Sequence, residues 1–543
     1  MQKNSYNYWM QYFIASLVKN YLRDHKIGFA QPIVVDVPKQ KAFGDFSVSV
    51  ALSLAKILGK PPRVVAEEIK NYIENPGGRA ASPFEKIEIA GPGFINFTLS
   101  IHKLQENILE ILKKKEKYGH SNIGKGAKVL LEFVSANPTG PLHVGHGRWA
   151  VIGDDIARLL AAIGYRVTRE FYINDAGRQI EMLHDSINAV LEGRDVPADG
   201  YRGSYINEIA DLLRPQKDPA KLKENAIRHI LKKQKQALLN LNVKFDNWFS
   251  EKSLHANKLL QKTANALDKK GVTYTADGAL WFRSTDFGDD KDRVLIKESG
   301  EPTYFLADIA YHLNKFQRGF HHLIDIWGTD HHGYVKRVKS AVSALGYSED
   351  SLEIIIGQLV ALYRAGELVR MSKRTGEMIT LQEVIDEIGV DATRYYFAMN
   401  DAHTHLEFDL EKAKEKSMDN PVYYLQYAFA RLSSIMREAH KGGHKIASSK
   451  DIFLLSSNDD RDLMKMLLDY PDALSEAAQA RQPHRLINFA VELATFFHSY
   501  YHRNRVISAD PKLTSARLVL VSSVKIVLKS IFDLLGISAP EKM

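Results

Sequence analysis

The chain has 543 residues, 45% of them hydrophobic and 25% charged, and carries a net charge of +8. That length demands several cores, and the basic excess suits a polyanionic partner without proving one. The absence of cysteine excludes disulfides, thiolate zinc sites and cysteine nucleophiles.

The first element is a helix over the N-terminal apolar stretch. Lys19 and Arg23 interrupt that stretch and no small-residue cleavage site follows, so it does not read as a signal peptide. No run of about twenty apolar residues offers a membrane span. A strand at PIVVDVP (32–38), a loop with Gly44 and Asp45, and a helix through VSVALSLAKIL (48–58) come next. A strand pair follows at EIAGPGFINFTL (88–99), and a boundary is expected at residues 121–126. VLLEFV (129–134) is a near-continuous apolar run, the pattern of a strand buried on both faces. A loop and a helix ending near Gly164 lead to a further strand at RVTREFYIN, completing a parallel β-α-β unit of a nucleotide-binding sheet. Residues 185–290 read as a helical insertion ending in a short β region. A helix over LADIAYHLNKF (306–316), the strand HLIDIWG (322–328), a helix from Tyr334 to Leu345 and further strand at LEIIIGQLVALY (352–363) resume the sheet. The remainder reads as helical throughout. Its last helix places Leu520, Val524, Val527, Leu528, Ile531, Leu534 and Leu535 on one face and stops at Gly536 and Pro540.

Two segments carry chemistry. His143-Val144-Gly145-His146 sits where the buried strand hands over to a helix, whose unpaired N–H groups favour anions. Imidazoles three residues apart share a helical face and can donate to a phosphate gaining charge, and Gly145 allows close approach of a nucleotide. Alternatively the histidines are a solvent-facing pair. Arg370-Met371-Ser372-Lys373-Arg374 brings three cations to a loop, able to close over a triphosphate or simply to be solvated. Glu132 stands inside an apolar run and needs a cationic or hydrogen-bonding partner, so a salt bridge to a neighbouring strand is as good a reading as a ligand contact.

Together these strings resemble the H-I-G-H and K-M-S-K-S signatures of class I aminoacyl-tRNA synthetases. EFVSANPTGPLHVGHGR (132–148), FYINDAGRQI (171–180), YFLADIAYH (304–312), WGTDHHGYVKR (327–337), MSKRTGEMITL (371–381), NPVYYLQYAFAR (420–431) and LLGISAPEKM (534–543) narrow the resemblance to arginyl-tRNA synthetases. GDFSVSVALSLAK (44–56) resembles that family's N-terminal add-on domain. The fold implied is α/β: an N-terminal α/β add-on domain (1–120), a Rossmann-like parallel-sheet catalytic domain (121–395, with the insertion at about 185–290) and a C-terminal all-α anticodon-binding bundle (396–543).

The resemblance implies ATP-dependent activation of L-arginine and its transfer to tRNA(Arg) by a cytoplasmic monomer. It places His143, Gly145, His146, Met371, Ser372, Lys373 and Arg374 on ATP, with His143, His146 and Lys373 catalytic. Arg370 replaces the signature's first lysine and Thr375 stands where many arginine enzymes have a lysine, which leaves Lys373 as the main cation on pyrophosphate. For arginine the resemblance implies Glu132, Ser135, Asn137, His146, Tyr304, Asp308 and, with Asp330, His331. Magnesium is expected with ATP. No protein-bound zinc is expected, because the paired histidines at 321–322 and 331–332 lack an acidic ligand set. For tRNA, FFHSYYHRNRVI (496–507) interleaves aromatics and cations. Phe497 and Tyr501 share a helical face assigned to the core, which leaves Tyr500, His502 and Arg505 for RNA, with Met543 at the C-terminal end. Phe94 and Asn96 match the D-loop segment. A class I synthetase for another amino acid and a catalytically dead RNA-binding module remain as alternatives.

Overall fold

The structure is a computed structural model that describes residues 6–38, 40–75, 83–216, 218–369, 379–444 and 449–543. The N-terminal helix Tyr6–Asp24 buries Met10, Ile14, Val18 and Tyr21, one residue per turn, and packs on the helices Pro62–Glu74 and Asn458–Ala480 and on the first strand of a four-stranded antiparallel sheet. That sheet runs Val35–Asp36, Phe46–Val48, Phe94–Leu99, Phe84–Ala90. Phe46–Val48 corrects the reading of 48–58 as one continuous helix. Phe46 and Val48 alternate into the core as a strand, and the helix begins only at Val50.

A five-stranded parallel sheet forms the centre, in the order Leu352–Gly357, His322–Gly328, Lys128–Glu132, Arg166–Ile173, Asn247–Ser250. The chain leaves the middle strand to one side and returns later on the other. This makes a switch point at the carboxyl ends, where α/β sheets open a crevice. The last strand lies within residues 185–290, so that stretch is not wholly an insertion. In and around it run three helices (Arg178–Leu191, Ser204–Leu213, Pro219–Asn240), an edge strand of the central sheet, two shorter helices (Lys252–Ala256, Leu259–Lys269) and a small antiparallel sheet at Thr273–Ala276, Ala279–Phe282 and, just beyond, Arg293–Ile296.

The helix Val144–Ala162 follows the middle strand and lies very close to its neighbours. A Cβ at Gly153 would sit 2.3 Å from the Phe133 ring, and one at Gly147 would sit 2.5 Å from Leu381. Leu381 opens the helix Leu381–Ala398, which is interrupted at Gly389 (φ 81°). LEIIIGQLVALY divides between two sheets. Its second half, Val360–Arg364, pairs with Glu367–Leu368 and, in parallel, with Leu406–Asp409. Leu406–Asp409 corrects the all-helical reading of the C-terminal part. A four-residue strand with two acidic residues leaves little pattern, and only Leu406 and Phe408 face inward.

Four long helices close the chain: Pro421–Lys441, Asn458–Ala480, Pro483–Arg503 and Pro511–Leu535. Leu520, Val524, Val527, Leu528, Ile531, Leu534 and Leu535 are all buried, and Gly536 ends the last helix in the left-handed region (φ 64°). Arg394 joins this bundle to the sheet domain. Its guanidinium, fully buried, donates to Asp154 Oδ2 (2.9 Å), Asp155 Oδ1 (2.5 Å), the Leu535 carbonyl (2.7 Å) and the Leu241 carbonyl (3.0 Å).

Candidate active site

The backbone leaves the middle strand through a tight turn in which Val134 and Ser135 both have positive φ (69° and 39°). Such conformations cost on the order of 1–3 kcal/mol each for non-glycine residues. Hydrogen bonds hold the turn: Ser135 Oγ donates to Glu132 Oε1 (2.8 Å) and accepts the Tyr172 N–H (3.1 Å). Further along, Gln234 donates to the carbonyls of Asn137 and Gly140, and Tyr205 to that of Thr139. The loop thus reaches the helix N-terminus already braced.

There the two histidines form a capping box. His143 Nδ1 accepts the Gly145 N–H (3.1 Å), and the His143 N–H donates to His146 Nδ1 (3.3 Å). The rings stack with centroids 3.7 Å apart. Because each Nδ1 accepts, the ring proton resides on Nε2, and both imidazoles offer Nε2–H donors beside a helix N-terminus. The pair is therefore built into the helix start, not a loose solvent-facing pair. Residues 370–374, with Arg370, Met371, Ser372, Lys373 and Arg374, lie outside the described residues. The chain that follows them is anchored at the histidines: Thr380 bridges His143 as an antiparallel partner, and the Leu381 N–H donates to the Leu142 carbonyl (2.8 Å).

A second group of residues lines the crevice beside the carboxyl ends of the strands. Asp308, one turn into the helix Tyr304–Gln317, accepts the Tyr334 hydroxyl at 2.5 Å. Glu251, directly after the edge strand Asn247–Ser250, is buried. It accepts the Tyr172 hydroxyl and, with the Asn174 amide turned to present its nitrogen, a second bond at 2.9 Å. Burial raises the pKa of both carboxyls. Tyr334 partly offsets this for Asp308, Tyr172 for Glu251, and the charge of Asp308 pushes Glu251 higher still. Neither carboxylate forms an ion pair with a cationic side chain among the described residues. Glu251 was not singled out in the sequence, where it sits inside the stretch read as an insertion. An acid two residues after the aromatic pair Trp248-Phe249 was the available signal.

The other expected arginine contacts are dispersed around this pair. Asn137 Nδ2 donates to Gln179 Oε1 (2.6 Å). Tyr304 is 68% exposed, its hydroxyl lying over Gly177. His331 is exposed in the turn Thr329–Tyr334, 3.5 Å from Asp330. Glu132 is salt-bridged, but to Lys315 on a helix and not to a neighbouring strand, since the flanking strands present Glu170 and Asp325 at the same level. Among the described residues no group of three or more His, Asp and Glu could hold a metal ion, and no helix is long and apolar enough to cross a membrane.

Comparison with known proteins covers nearly the whole chain. Residues 13–99 match the arginyl tRNA synthetase N terminal domain, residues 107–196 and 205–419 the class I (R) tRNA synthetase catalytic domain, and residues 425–543 the DALR anticodon binding domain. The chain belongs to the arginyl-tRNA synthetase family. An arginine–tRNA ligase from Halalkalibacterium halodurans is 46% identical over 528 residues, 94% of each chain. One from Bacillus subtilis is 44% identical, covering 98% of this chain and all of its own length. The fold matches a Thermus thermophilus arginyl-tRNA synthetase with a TM-score of 0.76 at 23% identity, covering 98% of this chain and 99% of that one.

In the region matching the DALR domain, a cavity of about 800 Å³ opens between the helices Pro421–Lys441 and Pro483–Arg503. Tyr423 and Tyr427 stack nearly parallel on its wall (9° between planes), and Arg431 lies over the rings of Tyr427 (4.8 Å) and Tyr501 (5.3 Å). Burial, aided by Arg431, pushes the His498 imidazole down to about 4, so it is neutral at pH 7. This reverses the expected split between adjacent tyrosines. Tyr500 is fully buried and donates to Asp460 (2.8 Å), whereas Tyr501 and His502 line the cavity. The helical repeat fixes which residues share a face, not which face meets the bundle. Arg505 and Met543 are exposed. In the N-terminal domain Phe94 is 38% exposed, but Asn96 is buried and its Oδ1 accepts Ser47 Oγ (2.7 Å), so the two do not project together.

Proposed function

We propose that the chain's arginine–tRNA ligase reaction runs in the crevice between the histidine pair and the Asp308–Glu251 pair. A guanidinium presents five donors in a planar fork and is always charged, and two carboxylates with raised pKa and no ion-paired cation among the described residues match it. Asp308 and Glu251 take that group. Glu132, Ser135 and Asn137, on the braced turn, face the amino-acid end, with His146 between it and the nucleotide. Tyr304 and His331 flank the mouth.

The arginine carboxylate attacks the α-phosphorus of ATP and pyrophosphate leaves. Charge gathers on the phosphate oxygens during displacement, where the Nε2–H groups of His143 and His146 and the helix N-terminus stabilise it. Gly145 keeps the backbone approachable. Met371, Ser372, Lys373 and Arg374 complete the nucleotide site, with Lys373 on the leaving pyrophosphate. Seven residues from Thr380 to Lys373 reach at most roughly 23 Å, enough to bring that lysine over the histidines. Magnesium accompanies the triphosphate and no zinc is resident. In the second step the 3′-terminal ribose hydroxyl of tRNA(Arg) attacks the adenylate carbonyl and AMP departs. Unpaired bases stack in the Tyr423–Tyr427–Tyr501 cavity beside His502, while exposed Arg505 and Met543 offer further contacts and Phe94 serves the D-loop. The enzyme acts as a cytoplasmic monomer.

The observation that carries this reading is a buried and a half-buried carboxylate, Glu251 and Asp308, neither ion-paired to a cationic side chain among the described residues. The test is radiolabelled pyrophosphate exchange with each amino acid, with and without tRNA. Exchange with arginine alone among amino acids supports it, whereas exchange with another amino acid or none under any condition rejects it. Lys373→Ala is expected to slow adenylate formation by roughly 10²-fold or more. An unchanged single-turnover rate removes Lys373 from the mechanism.

A further inference from the structure

Glu170, Glu132 and Asp325 stand in register on three adjacent parallel strands, and all three are buried. Carboxylates crowded in this way need cations. The helix Tyr304–Gln317 and the residue after it supply two. Arg318 forks onto Glu170 at 2.5 and 2.7 Å. Lys315, its side chain wholly buried, donates to Glu132 Oε2 (2.6 Å) and to both oxygens of Asp325 (2.8 and 3.0 Å). Its three N–H donors are thereby engaged, and Nζ lies 4.4 Å from the centre of the Tyr311 ring.

Lys315 lies seven residues after Asp308, two turns along the same face of the helix. Between them His312 bridges the Asp308 carbonyl (2.8 Å) and Asp325 (2.9 Å). On the other side of the lysine, Glu132 is gripped at both oxygens, by Lys315 at one and Ser135 Oγ at the other. Ser135 is the second left-handed residue of the turn that leads to Asn137. A continuous set of bonds therefore runs from Lys315 through Glu132 into the braced turn.

We propose that Lys315 is a positioning residue for the arginine pocket: without touching the substrate, it holds Glu132 and the Ser135 turn in register and satisfies Glu132 and Asp325 from within, leaving Asp308 and Glu251 as the acids open to an incoming guanidinium. This rests on the pocket assignment made above.

Steady-state aminoacylation by the full-length enzyme tests the relay through Lys315→Met, Glu132→Gln, the double variant and Asp308→Asn. Lys315→Met is expected to raise the KM for arginine roughly 10- to 100-fold, as misplaced binding groups do, with the KM for ATP within about twofold. If Lys315 acts through Glu132, the double variant is no worse than the poorer single one. Multiplicative losses in the double variant, or equal rises in both KM values, overturn the proposal. Ser135→Ala cuts the relay at its outer end without disturbing the buried lysine, so it reports even where Lys315→Met fails to fold. It is expected to raise the arginine KM roughly tenfold or more, in line with loss of a hydrogen bond to a charged group, and an unchanged value overturns the relay. An unchanged arginine KM in Asp308→Asn defeats the pocket assignment itself. An impaired Asp308→Asn beside a normal Lys315→Met defeats only the role given to the lysine.

Discussion

Two clusters of carboxylates, one fully buried and one partly so, are treated in opposite ways in this chain. At the junction with the helical bundle, Asp154 and Asp155 are met by the guanidinium of Arg394, with Arg158 donating to Asp154 as well. Burial would lower the Arg394 pKa, but Asp155 and Asp154 hold it above its ordinary value. In the crevice, Asp308 and Glu251 receive tyrosine hydroxyls and an amide, with no cationic side chain bonded to either among the described residues. A buried acid answered from within ties elements together. A buried acid answered only by neutral donors keeps an unmet demand for positive charge, which an arriving substrate can satisfy.

The comparison breaks most visibly at Arg394. Arg394→Met strands Asp155 in the interior and leaves Asp154 to Arg158, and is expected to cost about 3–5 kcal/mol of stability, read from urea unfolding. Asp308→Asn is expected to behave oppositely: arginine affinity falls by about 2 kcal/mol in calorimetry, while the unfolding midpoint holds or rises, since an uncompensated charge has gone. A stability loss like that of Arg394→Met would erase the distinction between the clusters. Tyr427→Ala touches neither. It is expected to weaken tRNA binding by about 1 kcal/mol or somewhat more, with the arginine KM unmoved. The finest probe is pH. Arginine binding needs both crevice carboxyls deprotonated, and both pKa values are raised by burial. The arginine KM should therefore climb as pH falls, beginning above the usual carboxylate range. In Asp308→Asn the onset should move to lower pH, because the charge of Asp308 no longer raises Glu251. A flat profile between neutral and mildly acidic pH would contradict that assignment.

The sequence displayed the middle strand and the histidine turn because an apolar run followed by a Gly-containing helix start leaves a strong local pattern. The strand HLIDIWG was legible for the same reason. Glu251 was not, since its role depends on an edge strand of only four half-buried residues at the end of a long excursion. Glu132 announced that it needed a partner but not which one. That required knowing that its strand neighbours would also present acids. Tyr500 and Tyr501 could be told apart only once the bundle's packing was in view. Arg394 carried no local signal at all, because its four acceptors come from three distant parts of the chain.

The Arg394 clasp also draws distant stretches of the chain to one point. Its helix begins at the residues that pair with the histidine turn, and its guanidinium grips the middle of the histidine-capped helix, the Leu241 carbonyl and the Leu535 carbonyl at the end of the last helix. Losing any one of these holds would leave a buried donor without its acceptor, so the end of the bundle and the histidine-capped helix share one anchor.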